Sequence, residues 1–281
     1  MAMETVAIVG VGLIGASFGL GLRRAGFGGE IIGVSSEKAI AAGLARGAIS
    51  SSGTLAEAAQ RADLIYLAQP VDRILETIPR LAGCLRPGAL VTDAGSTKEQ
   101  IVACALANLP ADSFLGGHPI AGKEQRGAEA ADGELFCKRP YILTPSARSE
   151  SAVSQTFRLT LRSIGAVILE MSPQEHDSTV ALTSHLPQLI STALAATLYR
   201  GGNPRVTEVF GPGLLDMTRL AMSSPELWES ILATNKTAVE KALEAFIKVL
   251  TELKATIGER ELAHTFEHSA EFAKALRERT L

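Results

Sequence analysis

Val6-Ala7-Ile8-Val9-Gly10-Val11-Gly12-Leu13-Ile14-Gly15 decides how the chain is read: an apolar run, then three glycines at G-x-G-x-x-G spacing. Each glycine has its own task in such a turn. Gly10 permits a tight bend after a strand, Gly12 lets the main chain approach a pyrophosphate, and Gly15 lets a helix pack closely on the strand. The helix N-terminus then offers free N–H groups and a positive dipole end to phosphates. Glycine-rich turns are common, so the motif gains meaning from the strand before it and the helix after it. Leu13 and Ile14 inside the motif, and Gln69 farther along, complete the candidate cofactor contacts of the turn.

No charged residue occurs from Val6 to Leu22. Glu4 precedes that run, Arg23-Arg24 follow it, and no small-residue cleavage site comes next, which is the wrong polarity for a secretory signal. A spanning helix needs roughly 20 apolar residues, more than this run provides. A buried strand turning into a helix is expected, with no membrane partner.

Further apolar runs follow at Ile31–Val34, Leu64–Ala68, Ala89–Thr92, Phe114–Gly116, Tyr141–Thr144 and Val167–Leu169. Helical stretches separate them, with capping-box patterns at Thr54/Glu57 and Ser96/Glu99 and helix stops at Gly47 and Gly165. Continuously apolar strands alternating with helices imply parallel strands covered on both faces. After Ser172-Pro173 the spacing becomes helical, as in Val239, Ala242, Ala245, Phe246, Val249, Leu250 and Leu253. The expected fold class is α/β: an N-terminal Rossmann-type doubly wound sheet over residues 1–171 and an all-helical C-terminal domain over 172–281.

Composition bounds the function. Of 281 residues, 46% are apolar and 20% charged, and the formal net charge is -3, which suits a soluble globular protein and excludes nucleic acid as a partner. Cys84, Cys104 and Cys137 have no C-x-x-C spacing, so neither a disulfide framework nor a zinc site is expected, and a reducing cytoplasm fits.

The second strand ends in Gly33-Val34-Ser35-Ser36-Glu37-Lys38. An acid about 20 positions past the glycines holds the ribose 2′-OH in NAD enzymes, and Ser35 stands there without charge. Ser35, Ser36 and Lys38 therefore favour NADP, with NAD the alternative and an incidental surface lysine the plainer account of Lys38.

Ligands of open α/β sheets bind beyond the carboxyl ends of the strands. Two such ends carry polar sets, Asp93-Ala94-Gly95-Ser96-Thr97-Lys98 and Gly116-Gly117-His118-Pro119-Ile120-Ala121-Gly122-Lys123-Glu124. His118, expected on a loop, has the titration range to take a proton from an alcohol, or it is a backbone-bonding turn residue. Ser96 reads alone as an N-cap, and Lys98 and Lys123 read as ordinary solvated charges. In the helical half, His176 and Asp177 lie near a helix start, where an acid is favoured. His185 stands nine residues after His176, on a different side of a helix, so no shared metal site is expected. Arg219 follows Asp216 by three residues, giving either an intrahelical ion pair or a guanidinium fork for a carboxylate.

Together the opening VAIVGVGLIGASFGLGL, DAGSTK, GGHPIAGKE, HDSTVALTSHLPQ and DMTRLAMSSPELWESILATNK resemble the prephenate and arogenate (cyclohexadienyl) dehydrogenases, from about Val6 to beyond Asn235. The resemblance implies an NAD(P)-dependent oxidative decarboxylation of prephenate to 4-hydroxyphenylpyruvate, or of arogenate to tyrosine. It implies His118 as the group that takes the ring hydroxyl's proton, with Ser96 in the same network. Arg219 is implied as a carboxylate ligand, His185 and Ser184 as pocket residues, and Glu124 near the side-chain end of the substrate. It further implies a homodimer through the helical domain and no fused mutase or regulatory module. The alternatives are a β-hydroxyacid dehydrogenase or imine reductase, or a non-enzymatic NADP-binding sensor. The first usually carries a catalytic Lys or Asp in the stretch matching Gln174–Gln188, which here has no Lys.

Overall fold

The computed structural model describes residues 3–146 and 151–278. In chain order the first part runs β1 (Thr5–Val9), α1 (Leu13–Arg24), β2 (Glu30–Val34), α2 (Glu37–Ala45), β3 (Ser51–Ser52), α3 (Leu55–Arg61), β4 (Leu64–Leu67) and α4 (Val71–Leu81). It continues β5 (Leu90–Asp93), α5 (Glu99–Asn108), β6 (Phe114–Pro119), β7 (Pro140–Thr144), α6 (Ala152–Ser163) and β8 (Val167–Glu170). Then come α7 (Pro173–Val180), α8 (Leu186–Arg200), α9 (Pro212–Thr218), α10 (Pro225–Thr234), α11 (Lys236–Ala255) and α12 (Glu261–Glu278).

The eight strands form one sheet in the order β3-β2-β1-β4-β5-β6-β7-β8. All neighbours are parallel except β6 and β7, which pair antiparallel. β1 lies inside the sheet because Val6, Ala7 and Ile8 have no exposed face. One apolar layer takes Ile8, Phe18, Leu22, Tyr66 and Phe157, and the other takes Ala7, Ile65, Leu67, Ile74 and Ile78. The Thr54/Glu57 capping box at α3 forms as expected.

Two strand assignments differ from the sequence reading. β3 was not anticipated, because Ser51-Ser52 is a short edge strand with no apolar signature. β6 continues through Gly117-His118-Pro119 rather than ending at Gly116, so His118 sits in a strand opposite Ile142 and not on a loop. The antiparallel ladder from β7 imposes that extension on a segment with little strand propensity of its own.

The chain clusters into two units, residues Met1–Thr179 with Ser223–Thr234, and Val180–Met222 with Asn235–Leu281. The first contains the whole sheet together with α7 up to Thr179 and α10, whose Ile231 and Trp228 pack with the second apolar layer. The second unit is helical. It opens with a π-helical turn, Ala181–His185, directly before α8. Among the described residues no helix is long and apolar enough to cross a membrane.

A hydrogen bond crosses the first core: the Tyr141 hydroxyl donates to the Tyr66 hydroxyl at 3.1 Å, with Phe18 stacked on Tyr66 at 4.0 Å between ring centroids. Burial pushes both phenols well above the ordinary tyrosine range, so both stay neutral. Tyr141→Phe should destabilise the fold by about 1–3 kcal/mol, because the Tyr66 oxygen loses its donor in a dry site. The double change Tyr66→Phe/Tyr141→Phe should cost less than the sum of the single ones. Urea unfolding in a double-mutant cycle measures both, and strict additivity would show that the bond carries no coupling.

Candidate active site

β1 ends at Val9, and the chain turns at Gly10 with φ of +97°, its N–H held by the Val34 carbonyl at 2.9 Å. A Cβ at Gly10 would stand 2.5 Å from the Ala68 carbonyl oxygen, and one at Gly15 would stand 2.1 Å from the Gly10 oxygen. At Gly12, the residue that caps α1, a Cβ would meet nothing within 4 Å. The turn is thus sealed on its protein side and open in front of Gly12, the shape that a pyrophosphate cradle requires.

Three clefts open around it. One of about 390 Å³ is lined by Gly12, Leu13, Ile14, Gln69, Ser96, Lys123, Gln125 and Arg126 among others. A second, of about 550 Å³, takes in Gly10, Gly12, Ser35, Ser36, Gln69 and Arg80. A third, of about 350 Å³, brings Ser35, Ser36 and Lys38 together with Arg126. The candidate cofactor residues therefore share connected ground, with Gly15 packed behind. Ser36 also caps α2, accepting the Ala39 N–H at 3.4 Å. Gln69 is fixed by the Thr77 hydroxyl, which donates to its Oε1 at 2.8 Å. Sequence reading missed Arg126 as a neighbour of Ser35, since the two are far apart along the chain.

A buried polar network underlies the same strand ends. Asp93 and Lys98 are wholly buried and paired through Asp93 Oδ2 and Lys98 Nζ. Asp93 also accepts the Gly95 N–H at 2.8 Å and the Gly117 N–H at 3.1 Å. Burial pulls the Lys98 ammonium below the usual lysine range, against the opposing pull of Asp93 and Asp177. The expectation of a solvated Lys98 is thereby corrected, whereas Lys123 is an exposed cation paired with Asp132 at 2.8 Å.

Ser96 is not a helix cap, contrary to its sequence reading. α5 starts at Glu99, and its free N–H groups at Lys98 and Glu99 donate to the Asp177 carboxylate at 2.7 and 2.9 Å. An acid brought by α7 does the work expected of the local serine, and Ser96 faces the first cleft instead. Asp177 also meets His176 Nδ1 at 2.7 Å, and His176 Nε2 meets His118 Nδ1 at 2.8 Å. His176 is fully buried. Desolvation lowers its pKa most, helped by the Lys98 charge and opposed by Asp177 and Asp93. His118 is half-buried on β6 and does not belong to the lining of the first cleft. Glu124 is exposed, and that lining passes through its neighbours Lys123, Gln125 and Arg126.

In the second unit His185 is buried in the π-helical turn, and its Nδ1 accepts from Asn235 Nδ2 at 3.3 Å. Ser184 in the same turn is exposed. Arg219, also exposed, opens a 3-10 turn, Arg219–Met222, just after α9 ends. That turn is held by α8. The Gln188 amide donates to the Leu220 carbonyl at 2.9 Å, and Ser191 Oγ accepts the Ala221 N–H at 3.0 Å. These two supports were not legible in the sequence, because polar residues inside a helix pattern read as solvent-facing.

The comparisons with known proteins agree across the chain. Residues 18–170 match the model of the prephenate dehydrogenase nucleotide-binding domain, and residues 172–276 match that of the prephenate dehydrogenase dimerization domain. The chain is 34% identical to the prephenate dehydrogenase of Lactococcus lactis subsp. cremoris, over 98% of this chain and 77% of that protein. Its fold is similar to prephenate dehydrogenase from A. aeolicus in complex with hydroxyphenyl propionate and NAD+, with TM-score 0.92 and 33% identity, covering 98% of this chain and 99% of that one. It is also similar to Synechocystis arogenate dehydrogenase, with TM-score 0.84 and 29% identity, covering 97% and 100%. With both halves matched in order by the family's two domain models, the chain belongs to the prephenate dehydrogenase family.

Proposed function

We propose that the chain oxidatively decarboxylates prephenate or arogenate, using a nicotinamide dinucleotide held at the Gly10–Gly15 turn. One observation carries this reading: Ser96 lines the same cleft as Gly12, Leu13, Ile14 and Gln69, and His118 stands on the adjacent strand with its Nδ1 already engaged. The sealed turn and the open space before Gly12 fit the cofactor's phosphates. When bound, the nicotinamide supplies the hydride acceptor. The protein's own share is orientation, exclusion of water and proton handling. His118 receives the proton of the substrate's ring hydroxyl, with Ser96 in the same hydrogen-bond set. Loss of hydride from the hydroxyl-bearing ring carbon and of carbon dioxide from the opposite carbon together make the ring aromatic and drive the reaction, and the product's phenol oxygen recovers the proton from His118. Arg219 binds a substrate carboxylate, with His185 and Ser184 as further pocket residues and Glu124 toward the side-chain end.

For the cofactor, the third cleft supports NADP. Its lining carries Lys38 and Arg126 against one carboxylate, Glu129, and at the second strand's end stands Ser35 in place of an acid that would repel a 2′-phosphate. NAD is the alternative, and it is the dinucleotide named with the A. aeolicus relative. A homodimer is supported by the description of the second domain model and by the large apolar residues that α11 and α12 leave exposed, including Leu250, Phe266 and Phe272.

A four-way steady-state assay, prephenate and arogenate each with NAD and NADP, tests the activity. The highest kcat/KM is expected with NADP, and Ser35→Asp should reverse the cofactor order. A tenfold NAD preference in the wild type, about 1.4 kcal/mol, would overturn the reading of Ser35. Arg219→Ala should raise the substrate KM strongly while cofactor affinity stays within about twofold. A hydrogen bond to a charged group corresponds to roughly 1.5–3 kcal/mol. A loss of folding instead of binding would make Arg219 a structural residue. His118→Asn should lower kcat by about 10²–10⁴. In the wild type kcat should fall as pH drops, because only the neutral imidazole accepts a proton, and the variant should lose that acidic limb. Retention of both rate and limb would assign the proton to another group.

A further inference from the structure

We propose that His176 and Asp177 are positioning residues that hold His118 in one tautomer, with its proton on Nδ1 and its basic lone pair on Nε2. The inference rests on the reading of His118 as the proton acceptor and adds the device that makes it one. The hydrogen positions follow by elimination. Asp177 Oδ1 accepts the Lys98 N–H and Oδ2 accepts the Glu99 N–H, and a main-chain amide can only donate. The same carboxylate meets His176 Nδ1 at 2.7 Å, so that nitrogen carries the proton. A neutral His176 then has only an acceptor at Nε2, which faces His118 Nδ1 at 2.8 Å. His118 Nδ1 must therefore donate, and its remaining nitrogen is the basic one.

The surroundings favour the neutral state of the middle ring. His176 is fully buried, and the charged or titratable groups acting on it are Asp177 on its own helix, Lys98 and Asp93 from the β5–α5 segment, and His118 from β6. Desolvation and the Lys98 charge outweigh the two carboxylates and lower its pKa. His176 thus passes orientation from Asp177 to His118 without itself becoming the base. When His118 gains a proton at Nε2, its Nδ1–H bond to His176 strengthens, and the Asp177 carboxylate offsets the new charge through one intervening ring. The three groups do for an alcohol proton what an orienting acid does for a catalytic histidine, with an extra ring between them.

Asp177 also caps α5, so the clean probes are at His176. His176→Phe keeps an aromatic ring but no acceptor, and His176→Gln places a carbonyl oxygen where His118 Nδ1 can donate. Expected is a fall in kcat of about 10–100-fold for His176→Phe, with substrate KM and cofactor Kd within about twofold, and partial recovery for His176→Gln. Nitrogen-15 NMR of imidazole-labelled protein should show His118 as the Nδ1–H tautomer in the wild type and as a mixture in His176→Phe. A role in packing alone predicts the opposite ranking, with Phe tolerated and Gln harmful to the melting temperature. If His118→Asn loses its rate while His176→Phe keeps both rate and pH profile, the positioning role is wrong and the base assignment stands. If His118→Asn keeps its rate, the base assignment fails, and the NMR tautomer still decides whether His176 sets the ring. Should His176→Phe not fold, the Gln variant and the wild-type spectrum carry the same decision: an Nε2–H tautomer in the wild type refutes the proposal.

Discussion

Asp93 and Lys98 are a carboxylate and an ammonium with no exposed surface, facing each other at the end of β5. Removing either charge from water costs several kcal/mol, and their attraction offsets this only when the remaining lone pairs are also satisfied. Asp93 meets that condition by accepting the Gly95 and Gly117 amides. The pair therefore does more than neutralise itself. It ties the β5–α5 segment, where Ser96 borders the cleft in front of Gly12, to the strand that carries His118. Gly117 lies so close to this segment that a Cβ there would stand 2.7 Å from the Asp93 carbonyl oxygen. That close approach accounts for a glycine immediately before the catalytic candidate.

From this pair the polar order spreads outward by necessity. Lys98 is drawn inward at the first turn of α5, so the helix start is buried, and its free amides need an acceptor. No local side chain provides one. Asp177 reaches them from a separation of 79 residues and brings a negative charge to the positive end of the helix. Its neighbour His176 is thereby carried into the same buried layer and onto His118. A single pressure, the demand of buried charges and main-chain amides for partners, runs from the ion pair to the candidate base.

This requirement also explains what could be read from the sequence and what could not. The apolar runs Val6–Val9 and Leu64–Ala68 announced their strands, because burial on both faces leaves a continuous hydrophobic signature. Gly10, Gly12 and Gly15 announced the cradle, because the demands on backbone shape act within one short segment. His118 was found through its setting and through the family resemblance, but its strand was not. The ladder that extends β6 belongs to β7. The capping role of Ser96 was misread, and the link between His118 and His176 was not seen, for one reason. Asp177, the acceptor of the α5 amides, lies 79 residues from Lys98, and His176 lies 58 from His118, and no local spacing encodes such a partner. Gln188 and Ser191 were overlooked likewise, since their acceptor and donor lie on the Arg219–Met222 turn. Lys98 differs, since its ammonium pairs with Asp93 only five residues away and what the sequence hid is their joint burial.

The second unit obeys a different balance. α12 spans 18 residues, and none of them is buried. On α11 only Val239 and Ala242 are buried, so the apolar stripe read from the sequence is covered at its beginning and left open at Val249 and Leu250. Isolated helices of such length are marginal in water unless an apolar face is packed. Phe266, Phe272 and Leu276 on α12 offer such a face without an intrachain cover. The homodimer proposed for this chain would answer that deficit, with a second copy supplying apolar surface to these helices. The core of the first unit needs no such help, since its sheet is buried by its own helices. In the proposed homodimer, association would stabilise the helical unit that carries Arg219 and His185, rather than the nucleotide-binding fold.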